Sequence, residues 1–375
     1  MRILSFQRSP HLNTQIEPVT PAPFIPTFKK TEVQLKALTF YQQELKQRLP
    51  KAVFERTPGR VVYFLSFLAL NLALIALVVT LNPAWYYKLL AGLVIGQLNA
   101  SLAFFAHETL HGSVFKSKFL QDLVGFIGFG PYLLSPTYWR FWHNTLHHGN
   151  TQLIYKDPDA FPTLSVFKRS KLMRAIFQLS PGSKNVLSYG YLFYWFSLQS
   201  LLNQFYLRFK SRMWEDLDHK RVNLEFAAIC VLAAGYLYFV GMENLLWLVV
   251  IPLMLQNYVI LSYIITNHNI SPLTKVNDPL VNSLSVTADP ISTFVHLNFG
   301  YHVEHHLFPR VSPKHAKTIH HLLKEMYPEK YQCMPKWRAL KYIYLTPRIY
   351  KNHEELIHPK SLETFPTLSA SRPLN

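Results

Sequence analysis

The sequence predicts an all-α integral membrane protein, and three observations lead there. Four stretches, residues 61–81, 89–106, 224–240 and 245–265, contain no Lys, Arg or His. Each is long enough, or nearly so, to cross a hydrocarbon core of roughly 30 Å. They fall into two pairs joined only by "NPAWYYK" and "GMEN", so each pair is expected to turn back as a tight hairpin. Of the 38 Lys and Arg residues, only Lys88 lies in either connection. The positive-inside rule therefore places the N-terminal segment, the central block and the C-terminal segment on the cytoplasmic side. The expected architecture is four transmembrane helices in two hairpins, with interfacial helices and a cytoplasmic helical cap.

Taken in order, residues 1–60 read as a cytoplasmic tail followed by an amphipathic helix. "MRILSFQRSPHLNTQIEPVTPAPFIP" lacks an apolar core beside a cleavage site, so no signal peptide is expected. "TEVQLKALTFYQQELKQRL" has helical periodicity and is expected to lie on the membrane surface. The membrane domain spans residues 61–325. Within it, 119–134 is 16 residues long and carries Gly125, Gly128, Gly130 and Pro131, which makes it short for a span and poor as a continuous helix. The aromatic-rich stretch 191–202 is shorter still. Either stretch crossing alone would put the histidine clusters described below on opposite faces, so both are read as interfacial or re-entrant. "SPKHAKTIHHLLKEMYP" is a capped helix whose His315, His320 and His321 are expected to face solvent. Residues 326–375 read as a polar, basic tail.

The net charge of +17 first implies contact with anionic headgroups, then a docking face for an acidic partner. Nucleic acid is excluded as a partner, because no basic run is interleaved with a binding motif. Two cysteines, Cys230 and Cys333, can neither form a disulfide framework nor hold an iron-sulfur cluster, so any electrons must come from another protein.

The chemistry is carried by three histidine boxes: "HETLH" (His107, His111), "HNTLHH" (His143, His147, His148) and "HVEHH" (His302, His305, His306). Spacing i, i+4 puts two imidazoles on one helical face, about 5 to 6 Å apart, which suits one metal ion. Adjacent histidines point about 100° apart and could serve two different ions. Gly149 and Pro309 are expected to end the second and third box helices. Eight imidazoles exceed the four ligands of a structural zinc, so two ions are expected. Imidazole suits Zn, Cu, Fe and Ni alike; oxygen chemistry on C–H bonds favours iron, while a zinc hydrolase and a non-catalytic metal-binding sensor remain open. Glu108 and Glu304 lie inside boxes, where a carboxylate can orient an imidazole through its other N–H. Gln97, Asn99, Gln256 and Asn257 sit in apolar spans and are expected to bond between helices. Trp139, Phe141 and Trp142 are expected at the interface or along a channel wall. His296 is expected to pack or to support a ligand.

With these boxes in this order, and the words "WRFWHNTLHHGNT" and "NFGYHVEHHLFPR", residues 60–325 resemble the membrane-bound fatty acid desaturase family, part of a wider desaturase and hydroxylase superfamily. The resemblance implies a di-iron centre held by the eight box histidines, with His268 as a ninth ligand. It also implies supporting roles for Asp157 and Asp159 in "KDPDAF". The family's water-mediated asparagine is not matched, since Ile264 stands there; Asn267, Asn269 or Asn298 could substitute. The implied reaction uses oxygen and two electrons to place a carbon–carbon double bond in an acyl lipid or acyl thioester. The electrons would come from a separate ferredoxin or small haem cytochrome, because no His-Pro-Gly-Gly haem motif is present. A bacterial inner membrane, with the metal site on its cytoplasmic side, is the expected location. A lipid, sphingolipid or carotenoid hydroxylase or ketolase is the alternative on the same scaffold.

Overall fold

The structure, a computed structural model, describes residues 34–368, so the expected extended tail over 1–30 lies outside the described residues. Four helices are long and apolar enough to cross a membrane: Pro58–Leu81, Trp85–Leu110, His219–Val240 and Leu246–His268. The first and third expose apolar side chains, with Leu72, Val231 and Tyr238 all more than half exposed, as lipid-facing helices do. The second and fourth are buried along most of their length and pack on each other. Polar side chains in these helices are bonded in a chain across the bundle. Asn71 Nδ2 donates to Asn99 Oδ1 (2.8 Å), Asn99 Nδ2 to Gln256 Oε1 (2.8 Å), and Gln256 Nε2 to the Pro131 carbonyl (2.9 Å). Asn257 likewise bonds Ser197 at 3.0 Å. In lipid such amides are tolerated only when partnered.

The second helix extends at both ends beyond its charge-free centre. Its first turn includes Lys88, expected in a loop but buried at 8% exposure. The Lys88 ammonium donates to Asn82 Oδ1 at 2.5 Å and Asn244 Oδ1 at 2.9 Å, so amide oxygens compensate its burial and tie the two short connections together. At the other end the helix carries box one. The fourth helix opens with a π-turn, Leu246–Val250, ahead of Pro252, whose missing N–H and ring a regular helix would accommodate poorly.

The glycine-rich stretch is not helical throughout, since the α-helix stops at Phe129 and a 3-10 turn follows at Gly130–Tyr132, but its first two glycines do not break it. Lys118–Phe129 is one unbroken helix, capped by Ser117 and laid along the second span. Its glycines permit close approach: a Cβ on Gly128 would lie 2.6 Å from both the Ala106 Cβ and the Leu102 carbonyl oxygen. Gly128→Ala is therefore expected to destabilise the fold by about 1–3 kcal/mol, read as a lower Tm in detergent.

Helix Leu38–Arg48 packs on box three: Tyr41 and Leu45 are buried with Val303 and Leu307, and Gln42 Nε2 donates to the Leu307 carbonyl at 2.7 Å. Two further features depart from the sequence reading. The C-terminal tail is folded. Helix Lys336–Leu345 packs on the fourth span, and Leu368 N bonds the Ile270 carbonyl at 2.7 Å. The chain is not wholly helical either. Ser285–Thr287 pairs in parallel with Cys333–Pro335, and Glu355–Ile357 pairs antiparallel with Thr364–Pro366.

Lys336 sits 3.3 Å over the Tyr263 ring, and burial lowers its pKa to about 7. Between there and the ordinary lysine value the unfolded chain holds more protons than the folded one, so stability rises with pH across that window. Lys336→Met is expected to remove that slope, measured as Tm from pH 7 to 10.

Candidate metal centre

The four crossing helices deliver box one on the last turn of the second span and His268 on the last residue of the fourth. Box two follows on Pro136–Trp139, a π-helix over Arg140–His147, and His148–Asn150. Gly149 thus lies inside the last turn rather than ending it. The π geometry matters because it aligns residues five apart. His143 and His148 share a face, with Nε2 atoms 3.1 Å apart, an alignment that α-helical spacing does not predict. Box three is the helix His302–Leu307, closed before Pro309.

These elements bring eight of the nine histidines together in two groups of four, with His148 beside them. His107, His111, His143 and His305 form one, and His147, His268, His302 and His306 the other, with all ligand atoms of a group within 4.8 Å of one another. Adjacent His305 and His306 are divided between the groups, as are the i, i+4 neighbours His143 and His147. His148 Nε2 lies 3.1 Å from His143 Nε2 and 3.0 Å from His305 Nε2, beside the first group.

Hydrogen bonding shows that the groups fit a cation. His147 Nδ1 donates to Asp157 Oδ1 (2.9 Å) and His268 Nδ1 to the Asn282 carbonyl (3.2 Å). Thr151 gives its hydroxyl proton to the His147 carbonyl, so its oxygen accepts from His306 Nδ1 at 3.2 Å. Each of these rings therefore turns an Nε2 lone pair inward. His268 Nε2 and His306 Nε2 lie 2.7 and 3.0 Å from His302 Nε2, which can offer at most one proton to them. In the other group His111 Nε2 is buried with no partner at all. Lone pairs facing one another repel unless a cation lies between them.

Electrostatics agree. Burial holds His143, His148, His302 and His306 well below the ordinary imidazole range and lowers His305 to about 3, so all stay neutral and able to ligate. Burial would also lower His147, but the Asp157 carboxylate more than offsets it and raises the pKa to about 8, so a cation takes the place of a proton on Nε2 and meets a ring made more basic by that carboxylate.

The supporting residues divide. Asp157 accepts from His147 Nδ1, and Asp159 lies 3.5 Å from the same nitrogen while accepting from Trp142 Nε1 at 3.0 Å. Among the described residues, no hydrogen bond joins Glu108 or Glu304 to a box imidazole. Glu108 takes a two-pronged bond from Arg60 and one from Ser312, joining the start of the first span to the segment after box three. Glu304 accepts from Ser285, Tyr331 and His320, so His320 is buried rather than solvent-facing. These carboxylates brace the box helices. His296 belongs to neither group and bonds Tyr263 OH at 2.9 Å and Gln97 Oε1 at 3.2 Å. Asn298, in the left-handed region at φ 64°, lines a cleft beside His107 and His305. Asn267 is fully buried with both amide atoms unpartnered. Sequence reasoning missed Asn282 and Thr151, whose roles depend on backbone placement and leave no local pattern.

An apolar cavity of about 60 Å³ opens against both groups, several times what one ordered water needs. Phe104, Phe129, Trp139, Trp142, Phe196 and Ile264 wall it, so Trp139 and Trp142 act as cavity walls.

Four helices of crossing length and two nests of inward-turned imidazoles around an apolar cavity define a membrane protein with histidine clusters able to hold a metal. The fatty acid desaturase family model matches residues 83–337. The chain belongs to that family and is an oxidoreductase that desaturates fatty acids. It is 25% identical over 327 residues to an omega-6 fatty acid desaturase, chloroplastic, of Spinacia oleracea, covering 80% of this chain and 68% of that protein. It is 20% identical to the sn-1 oleoyl-lipid 12-desaturase of Synechocystis, covering 86% of this chain and 92% of that one. To the sn-1 acyl-lipid omega-3 desaturase (ferredoxin) of Synechocystis it is 34% identical over 136 residues, 36% of each chain.

Proposed function

We propose that the protein is an oxygen-dependent acyl-lipid desaturase with two iron ions, one in each histidine group, and that a separate ferredoxin supplies its two electrons. The observation that carries this reading is the sorting of eight histidines from four distant segments into two groups of four facing one apolar cavity, with a ninth, His148, beside them. Iron is a metal whose oxygen chemistry can break an unactivated C–H bond, which no side chain can do. Its ligands would be His107, His111, His143 and His305 on one side and His147, His268, His302 and His306 on the other, with His148 beside the first. The acyl-lipid substrate and the ferredoxin follow the names of the cyanobacterial relatives.

The chain's own residues perform the remaining tasks. Phe104, Phe129 and Ile264 exclude water from the cavity and hold methylenes by contact alone, so the shape of the cavity selects the carbon pair. Asp157, Asn282 and Thr151 keep the rings turned inward. Basic residues outside the two short connections support a topology of two hairpins with the metal groups on the cytoplasmic side, within a membrane domain beginning near residue 61.

Expression in a desaturase-deficient host, with total fatty acids compared by gas chromatography and mass spectrometry against His305→Ala, tests the reading. New double bonds absent from the control support it. A hydroxylated or unchanged acyl profile from folded, iron-loaded protein overturns it.

A further inference from the structure

Arg208, in the short helix Leu207–Phe209, is only 4% exposed, yet its Nε and Nη1 groups have no hydrogen-bond partner; Nη2 alone donates, to Asn223. A guanidinium cannot shed its proton, and an unmade buried N–H costs about 1–3 kcal/mol. The contrast is Arg348, 1% exposed, whose donors reach the Thr346 and Asn269 carbonyls. Beside Arg208 lies the Tyr138 hydroxyl, fully buried, whose nearest polar neighbour is the buried Asn203 amide. Unused donors around an unpaired positive charge form a seat for an anion, and a guanidinium fork matches phosphate in particular.

The surroundings indicate which anion. Phe205, Tyr206 and Phe209 are 49%, 50% and 59% exposed, and Lys210 and Arg212 are exposed beside them. Asn223, the residue that holds Arg208 Nη2, is on the third crossing helix. Exposed aromatics mixed with bases next to a membrane-crossing helix suit the headgroup layer; a soluble anion would not require the aromatics. The Phe209 ring lies 4.5 Å from the guanidinium, a cation–π contact that leaves Nε and Nη1 without a hydrogen-bond acceptor.

We propose that Arg208, Tyr138 and Asn203 seat the phosphodiester of a membrane phospholipid whose acyl chain enters the catalytic cavity. Helix Trp195–Phe205 joins the two places, with Asn203 at the seat and Phe196 and Gln199 in the cavity wall, a separation of roughly 10 Å at 1.5 Å per residue. The identification of the lipid as substrate rests on the desaturase reading; the seat does not.

The test uses the purified full chain in micelles carrying phosphatidylglycerol or monogalactosyldiacylglycerol, with retained lipid read by native mass spectrometry. Wild type is expected to retain the phospholipid preferentially. Arg208→Leu and Tyr138→Phe should each reduce that preference about tenfold, and Arg208→Lys should restore part of it. Tyr138→Phe removes a single hydroxyl and keeps the ring, so it preserves the packing even if Arg208→Leu does not fold. In turnover, KM for phospholipid substrates should rise while kcat, bond position and metal content hold. Equal retention of both lipids by wild type, an unchanged preference in the variants, or displacement of the lipid by millimolar inorganic phosphate would overturn the proposal. Retained preference without turnover on any lipid supports the seat and counts against the desaturase reading alone.

Discussion

His302→Ala is expected to abolish desaturation and remove about half of the bound iron. His302 Nε2 is where the lone pairs of His268 and His306 converge, at 2.7 and 3.0 Å, so its loss opens one group while leaving the other four nitrogens in place. The effect should exceed the roughly 10- to 100-fold loss that follows removal of a residue that merely orients a ligand. Iron per chain by plasma mass spectrometry and product by gas chromatography read the two consequences separately. His321→Ala, on an exposed helix face, serves as the control and should change neither. Full metal content with full activity in His302→Ala would remove this residue from the centre.

Asp157→Asn should reduce activity by about 10- to 100-fold without unfolding the chain. The carboxylate, 6% exposed, receives His147 Nδ1 on Oδ1 at 2.9 Å and the Gln152 backbone N–H on Oδ2 at 2.8 Å. Asparagine retains the shape but loses the charge that raises His147 against its burial. The ring then becomes a weaker donor, and iron affinity should fall together with turnover. Titration of the apo-protein with ferrous ion, beside a Tm measurement, separates this from a folding defect. Unaltered iron affinity in a folded variant would reduce Asp157 to a turn residue.

Much of the site was legible in the chain because its signals are local. Box spacings and charge-free stretches are read within a few residues of one another, and both survive in the structure. The errors cluster where a residue's meaning depends on a distant partner. Lys88 was read as a loop charge, but Asn244 lies 2.9 Å from its ammonium. Glu304 and His320 were assigned separate roles, but they bond each other at 3.0 Å. The glycines of Lys118–Phe129 were read as helix breakers, whereas Gly128 is small because Leu102 and Ala106 lie against it.

The sequence by itself determined the class: four apolar helices of crossing length, a basic remainder and three histidine boxes, each a pattern of period or composition that needs no knowledge of distant contacts. Only the tertiary structure decided which nitrogen joins which group. That sorting depends on a π-turn placing His143 and His148 on one face, on an Asn282 carbonyl fixing the tautomer of His268, and on the close packing of the second and fourth spans. Metal ligation is sensitive to tenths of an ångström, and that precision comes from packing between segments nearly two hundred residues apart.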